Sequence, residues 1–392
     1  NYNDYNNIKM KKIIKIILLL TLTFLPSLNK VFAKEKIRIG LLVPLTGKNS
    51  EIGRSIINST RLAINKINNN SLEIVPMDTG SDPNTTLRSA KKLSELGIKI
   101  TIGPVFYKNL EYLDELKEMT FLSLTNKDAN TSKNIINAGI NATSQIKAIK
   151  KFIELNEIKK TIFLIPDENY KNEILKAISI TKIKTIKNYI YDTDPTKLTN
   201  QIEKFTNYKL RKQNLEDEIT RIEKSNEINK EKLIEKLKIR DTLGNVKFDS
   251  LIIADFDESL KSVTTSLLYT DISPKKKYFI TLNQWFDMSL LNETSSQPIY
   301  FPSINKKNYE VFSSEYYKKF NRYPNQLSFL SFDLVGLVYY LLLQNNLIMD
   351  NKIFTKKNLF KGKVGIFEIK DNKINHILNF YKVENKKFKK IF

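Results

Sequence analysis

The sequence predicts an α/β protein made of two doubly wound parallel-sheet lobes, with a helical insertion in the second lobe. Three observations carry that expectation. Short apolar runs alternate with amphipathic stretches from about position 36 onward, the alternation begins again near Asn141, and 392 residues suffice for a leader and two domains of about 100 to 200 residues each. Such alternation puts helices on both faces of a parallel sheet.

Residues 1–9 are polar and Asn-rich and precede the first methionine, Met10, so they read as upstream read-through. Residues 10–33, "MKKIIKIILLLTLTFLPSLNKVFA", have the form of a secretory signal peptide. Lys11, Lys12 and Lys15 supply its basic start, and an apolar run spans 16–25. Val31 and Ala33 are the small residues of a cleavage site between Ala33 and Lys34. An uncleaved anchor would need about 20 apolar residues, and this run is roughly half that.

In the first lobe (34–140), "KIRIGLLVPL" reads as a strand and 50–68 as a helix with its apolar residues at helical spacing. "LEIVPMDT" is the second strand. Ser81 or Asp82 before Pro83 starts the next helix, and Gly97 stops it. "IKITIGP" predicts strand three, "YKNLEYLDELKEM" helix three and "TFLSLTN" strand four.

The second lobe (141–283) repeats the pattern with a helix at 143–156, strands ending at Pro166 and Tyr191, and a helix between them. Residues 197–240 then form a long charged helical stretch, in which Leu215, Ile219, Ile222, Leu233 and Leu237 make a narrow apolar stripe. The stripe fails at Asn226 and Asn229, which favours a surface hairpin over a sustained coiled coil. "FDSLIIAD" and "KYFITLN" restore strands.

Composition narrows the function. With no cysteine there is no disulfide, thiolate metal site or lipid-modified cysteine. The lack of cysteine excludes a Cys-His pair, a single histidine excludes a His-rich zinc site, and that histidine, His376, reads as a solvent or strand-edge residue rather than the base of a Ser-His-Asp triad. "GLLVPLTGKNS" lacks phosphate-loop spacing, and Asn49 stands where a magnesium-binding hydroxyl belongs. The acids of "ADFDESL" are most simply a helix N-terminus enriched in acid. The chain therefore reads as a non-enzyme, with no cofactor and no metal.

The formal net charge is +22, and most of it remains once the leader is set aside. Only 8 of the 64 basic residues are arginine, so the guanidinium forks of a nucleic-acid reader are scarce. A field of this sign still attracts anionic surfaces.

Four segments in order, "IRIGLLVPLTGKNSEIGRSIINSTRLAINKIN", "DTGSDPNTTLRSAKKL", "IGPVF" and "YEVFSSEYYKKFNRYPNQLSFLSFDLVGLVYYLL", resemble the type I periplasmic binding fold of leucine-binding-protein relatives. The resemblance implies two lobes joined by three crossings, with 284–360 returning to the first lobe and 361–392 ending the second as a tail hairpin, and a ligand cleft at the carboxyl ends of the strands. It places Thr46, Phe106, Tyr107, Lys108, Thr125, Asn126, Tyr170, Asp255 and Trp285 as candidate cleft residues. The serines with which leucine-type binders grip a carboxylate are replaced by Val105, Phe106, Tyr107 and Lys108, although Thr125 is in place.

"IGPVF", "LTNKD", the insertion before "KFDSLIIAD" and the closing "FKGKVGIFEI" and "HILNFYKV" are more similar to the penicillin-binding protein activator branch. That branch implies a periplasmic regulator of peptidoglycan synthesis whose partner is a peptidoglycan synthase. The familiar activators are lipoproteins, which a cysteine-free chain cannot be. The alternative is the substrate-binding component of an ABC transporter for branched-chain amino acids or a related solute, docking on a permease.

Overall fold

The computed structural model describes residues 36–127 and 132–392; the leading nine residues, the expected leader and its cleavage point lie outside the described residues. Among the described residues no helix is long and apolar enough to cross a membrane.

The first lobe opens with β1 (Ile37–Val43), α1 (Ser50–Ile67), β2 (Leu72–Asp78) and α2 (Pro83–Glu95). The start of α2 follows the sequence logic: Asp82 accepts the Thr85 N–H at 2.8 Å, and Pro83 occupies the first turn, where its missing N–H costs nothing. Then come β3 (Ile100–Ile102), β4 (Thr120–Ser123) and β5 (Ile135–Asn137), and the sheet order is β2-β1-β3-β4-β5. The helix expected at 107–119 is instead two short 3₁₀ turns, Tyr107–Leu110 and Leu113–Glu115. Leu110, Leu113 and Leu116 recur every third residue, the 3₁₀ period, and pack on the core beneath.

The second lobe runs through α3 (Ala142–Leu155), β6 (Thr161–Pro166), α4 (Lys171–Thr181), β7 (Lys187–Tyr191) and α5 (Pro195–Thr206). The expected insertion at 197–240 thus divides. Its start belongs to α5, the crossover helix that follows β7, and only α6 (Tyr208–Glu223) and α7 (Lys230–Lys238) form an added hairpin. Next come β8 (Ser250–Ile253), α8 (Asp257–Tyr269), β9 (Tyr278–Thr281) and β10 (Ile299–Ser303).

Two lobe boundaries differ from expectation. The second sheet, ordered β15-β14-β10-β9-β8-β6-β7, includes β10, so it extends past residue 283. Prolines at 298 and 302 obscure β10 in the sequence, because proline argues against a central strand. The tail is not one hairpin: β11 (Asn358–Lys361), β12 (Ile366–Lys370) and β13 (Lys373–His376) form a separate antiparallel sheet. Only β14 (Asn379–Glu384) and β15 (Lys387–Lys390) join the second sheet, where β14 pairs antiparallel with β10.

Helices α9 (Lys306–Phe320) and α10 (Ser328–Gln344) return to the first lobe. Because α10 is apolar almost all round, it is buried, and it packs closely on α1 through small hydroxyl residues. Ser55 Oγ lies 2.7 Å from Ser328 Oγ, and the Ser59 hydroxyl donates to the Ser328 carbonyl. Of the nearby aromatics, Tyr316 and Phe332 are buried, whereas Tyr317 and Tyr323 are exposed.

His376 ends β13, the edge strand of the three-stranded sheet, but it does not face solvent. It is buried beside the crossing between the lobes, with Nε2 donating to the Ala138 carbonyl at 2.7 Å and its ring edge-on to Phe367.

Candidate ligand cleft

Strand ends set the site. Gly103 closes β3 at φ +105°, and an added Cβ would lie 2.2 Å from the Leu42 carbonyl oxygen, so only glycine lets this backbone approach β1. From there Val105, Phe106 and Tyr107 reach a cavity of about 500 Å³, joined by Leu124, Thr125, Asn126 and Lys127 from the segment after β4. The second lobe contributes Phe256 after β8, and Asn283 and Trp285 after β9. Ile140 and Gln145 line it from the crossing, and Asn325, Gln326 and Phe329 from the start of α10.

The loop after β9 is held by polar contacts that span the crossing. Asn283 N donates to Gln145 Oε1 at 2.9 Å. Asn283 Oδ1 accepts from Trp285 N at 3.0 Å and from Ser303 Oγ at 2.8 Å. Trp285 and Phe286 both take left-handed backbone, at φ 50° and 58°, a conformation that costs a bulky residue energy and so needs outside support. The twist separates them. Trp285 faces Phe329 at 6.0 Å between ring centres, while Phe286 packs edge-on against Tyr381 in the second lobe's core.

Of the nine candidate residues, the cleft brings together Phe106, Tyr107, Thr125, Asn126 and Trp285. The other four do not line it. The Thr46 hydroxyl donates to Asp78 Oδ2 at 2.6 Å at the end of β2. Lys108 is exposed within the first 3₁₀ turn. Tyr170 donates to the Ala254 carbonyl at 3.2 Å and sits edge-on behind Phe256. Asp255 is buried, accepting from Tyr191 Oη at 2.5 Å and from Phe256 N at 2.9 Å; burial pushes its carboxyl above the usual range.

Thr125 Oγ1 accepts from Lys127 N at 3.2 Å, which leaves its O–H as a donor toward the cleft. Ser123, one turn earlier, donates to the Pro104 carbonyl at 3.2 Å. Among the described lining residues Thr125 is thus the one hydroxyl of the expected clamp, and the positions of the serines are held by Val105, Phe106 and Tyr107. Sequence reasoning missed Gln145, Asn283, Asn325, Phe256 and Phe329. Amide and phenyl side chains carry no chemical signature, and three of these residues come from helix starts far along the chain.

Residues 36–202 match the periplasmic binding protein family. No curated protein matches by sequence. Among solved structures, one assigned to a branched-chain amino acid ABC transporter of Rhodospirillum rubrum superposes with a TM-score of 0.68 at 13% identity, over 91% of this chain and all of that one. The C-domain of LpoA from Haemophilus influenzae, a regulator of PBP1A, gives 0.62 at 14% identity over 91% of this chain and 100% of its own. Against full-length LpoA from the same organism the chain covers 59% of that protein. An ABC transporter substrate-binding protein from Desulfitobacterium hafniense in complex with Leu gives 0.60 at 12% identity, over 91% and 100%.

Proposed function

With the type I periplasmic binding protein fold as its frame, we propose that the chain is an exported, non-enzymatic regulator that docks on a peptidoglycan synthase. The α6–α7 hairpin is the observation that carries this reading. A receptor for a small solute needs two lobes and a cleft, whereas this hairpin is extra mass held rigidly at its base. Arg211, only 5% exposed, donates to the Thr206 carbonyl at 3.0 Å, to Thr242 Oγ1 at 2.8 Å and to the Thr270 carbonyl. Outward, α7 buries none of its own side chains, and Ile228 at the turn is 100% exposed. A fixed apolar tip within a charged surface suits a protein partner.

The test is binding of the full chain to an immobilised peptidoglycan synthase of the penicillin-binding protein class. The expected result is saturable binding with an on-rate that falls as salt rises, and a loss of about tenfold in affinity for Ile228→Glu. No interaction at low salt overturns the role, and unchanged binding by Ile228→Glu overturns the hairpin as the contact.

A second reading, the substrate-binding component of an ABC transporter, is favoured by the open cleft lined from both lobes. The replaced serines weigh against a leucine-type ligand for it.

A further inference from the structure

We infer that the second lobe docks, by the end opposite the cleft, on a bilayer surface bearing anionic phospholipid headgroups. The inference goes beyond the regulatory reading and does not depend on it.

Topology gathers the surface. In the second sheet β6 to β10 run parallel, and β14 pairs antiparallel with β10, so the β14–β15 turn falls beside the strand starts. Lys386 N donates to Gln297 Oε1 at 3.2 Å, which fixes that turn just ahead of β10. Lysines far apart in the chain thereby reach one end of the sheet: Lys160 before β6, Lys182 and Lys184 before β7, Lys275 and Lys276 before β9, and Lys386 in the turn. All six are exposed. With strands about 4.8 Å apart, they spread over about 24 Å from β7 to β14.

The two ends of this lobe carry opposite charge. Residues 156–160, 182–187, 239–249, 270–277 and 385–387, which lead into the strands or make the turn, hold 12 basic residues against 4 acids. Residues 167–170, 192–194, 254–258 and 282–287, which follow the strands at the cleft end, hold 8 acids and no basic residue. Lys171 and Lys197, just inside the helices beyond, pair with Asp167 and with Asp192. A negative surface orients such a lobe with its strand starts inward and its cleft end outward.

The side chains among these lysines select a bilayer over a soluble polyanion. Leu155, the last residue of α3, is 62% exposed, Ile186 before β7 is 52% exposed, and Tyr269, the last residue of α8, is 55% exposed. In a headgroup layer the ammonium groups stay with the phosphates while apolar and aromatic side chains enter the boundary beneath. A nucleic-acid reader would place arginine forks here, whereas 11 of the 12 basic residues are lysine.

Vesicle co-sedimentation tests the assignment, with the exported chain and each variant sharing one N-terminus so that only the chosen residues differ. Vesicles of equal parts phosphatidylcholine and phosphatidylglycerol should bind at least about tenfold better than phosphatidylcholine alone, and salt should release the protein. Combining Lys160→Gln, Lys184→Gln, Lys275→Gln and Lys276→Gln should weaken that binding by about tenfold or more. Combining Lys48→Gln, Lys92→Gln, Lys307→Gln and Lys318→Gln, at exposed positions of the first lobe, removes the same charge and should change it by less than about threefold. Leu155→Ser, Ile186→Ser and Tyr269→Ser together should lower it by about threefold or more. All these positions are exposed, and matching unfolding midpoints show that each variant keeps the fold. No preference for anionic vesicles overturns the proposal, as does unchanged binding by the first variant or an equal loss in the second. Unchanged binding by the serine variant, or tighter binding to heparin, a soluble sulfated glycan, than to the anionic vesicles, overturns the bilayer as the partner.

Discussion

The carboxylate of Asp333, buried in the middle of α10, accepts the backbone N–H of Gly365 at 2.7 Å, and those of Lys363 and Val364 at 2.7 and 3.1 Å. One helix side chain thus holds the turn between β11 and β12, and Gly362 explains how the turn comes so close. A Cβ at Gly362 would sit 2.5 Å from Asp333 Cγ. Burial nevertheless pushes the Asp333 carboxyl up to about 6 against the pull of its three donors.

Replacing Asp333 by alanine should therefore cost several kcal/mol, since each buried N–H left without an acceptor costs about 1–3 kcal/mol. Denaturant unfolding measures it. A loss below about 1 kcal/mol would mean the turn finds other partners. Gly362→Ala should destabilise too, by driving a methyl group into the same carboxylate.

Acid should weaken the fold through His376. Burial lowers its imidazole from 6.5 to about 4, and Nδ1, where the second proton must go, is buried without a partner. The folded state then binds fewer protons than the unfolded one between pH 6.5 and pH 4. Its stability contribution is complete above pH 6.5 and is lost as pH falls, amounting to about 3 kcal/mol below pH 4. His376→Gln, which keeps an N–H for Ala138 but cannot titrate, should flatten unfolding free energy against pH across that window. An unchanged slope would assign the acid sensitivity to other groups.

His376 also marks where the sequence is silent. One histidine in "NHI" looks like a strand-edge residue, because nothing local shows that β13 packs beneath the crossing at Ala138. Alternating apolar runs and caps such as Asp82–Pro83 made the parallel sheets legible, since those signals are local. β10 and the three-stranded sheet were not, because their partners lie far along the chain and proline hides one of them. In the cleft, the family resemblance singled out Phe106, Thr125 and Trp285, whereas Asn283 enters the lining only through the fold, which ties it to Gln145 and Ser303 far along the chain.

Processing gives a prediction independent of the fold. The short apolar run at 16–25, followed by Val31 and Ala33, implies that the exported chain begins at Lys34. Intact mass of the secreted protein should match that start, and a membrane-retained species beginning at Met10 would contradict it.

The hairpin should detach when its anchor is removed. Arg211 ties α6 at once to the end of α5, to the segment before β8 and to the end of α8, beside Tyr208, which donates to Asp241 Oδ2 at 3.0 Å, and Thr242 extends the tie by donating to Asp271 Oδ2 at 2.6 Å. Arg211→Ala leaves two carbonyls and a hydroxyl without their donor, a cost of about 2–4 kcal/mol. The loss should be local, because the lobes' own sheets make no use of Arg211. Amide exchange and protease cleavage should rise within 208–240 while β6, β8 and β9 stay protected. Arg211→Lys should rescue little, since a single ammonium cannot serve three acceptors in different directions. If exchange rises equally across the second lobe, the hairpin is part of that lobe's core rather than an appendage, and its assignment as a docking element fails with it.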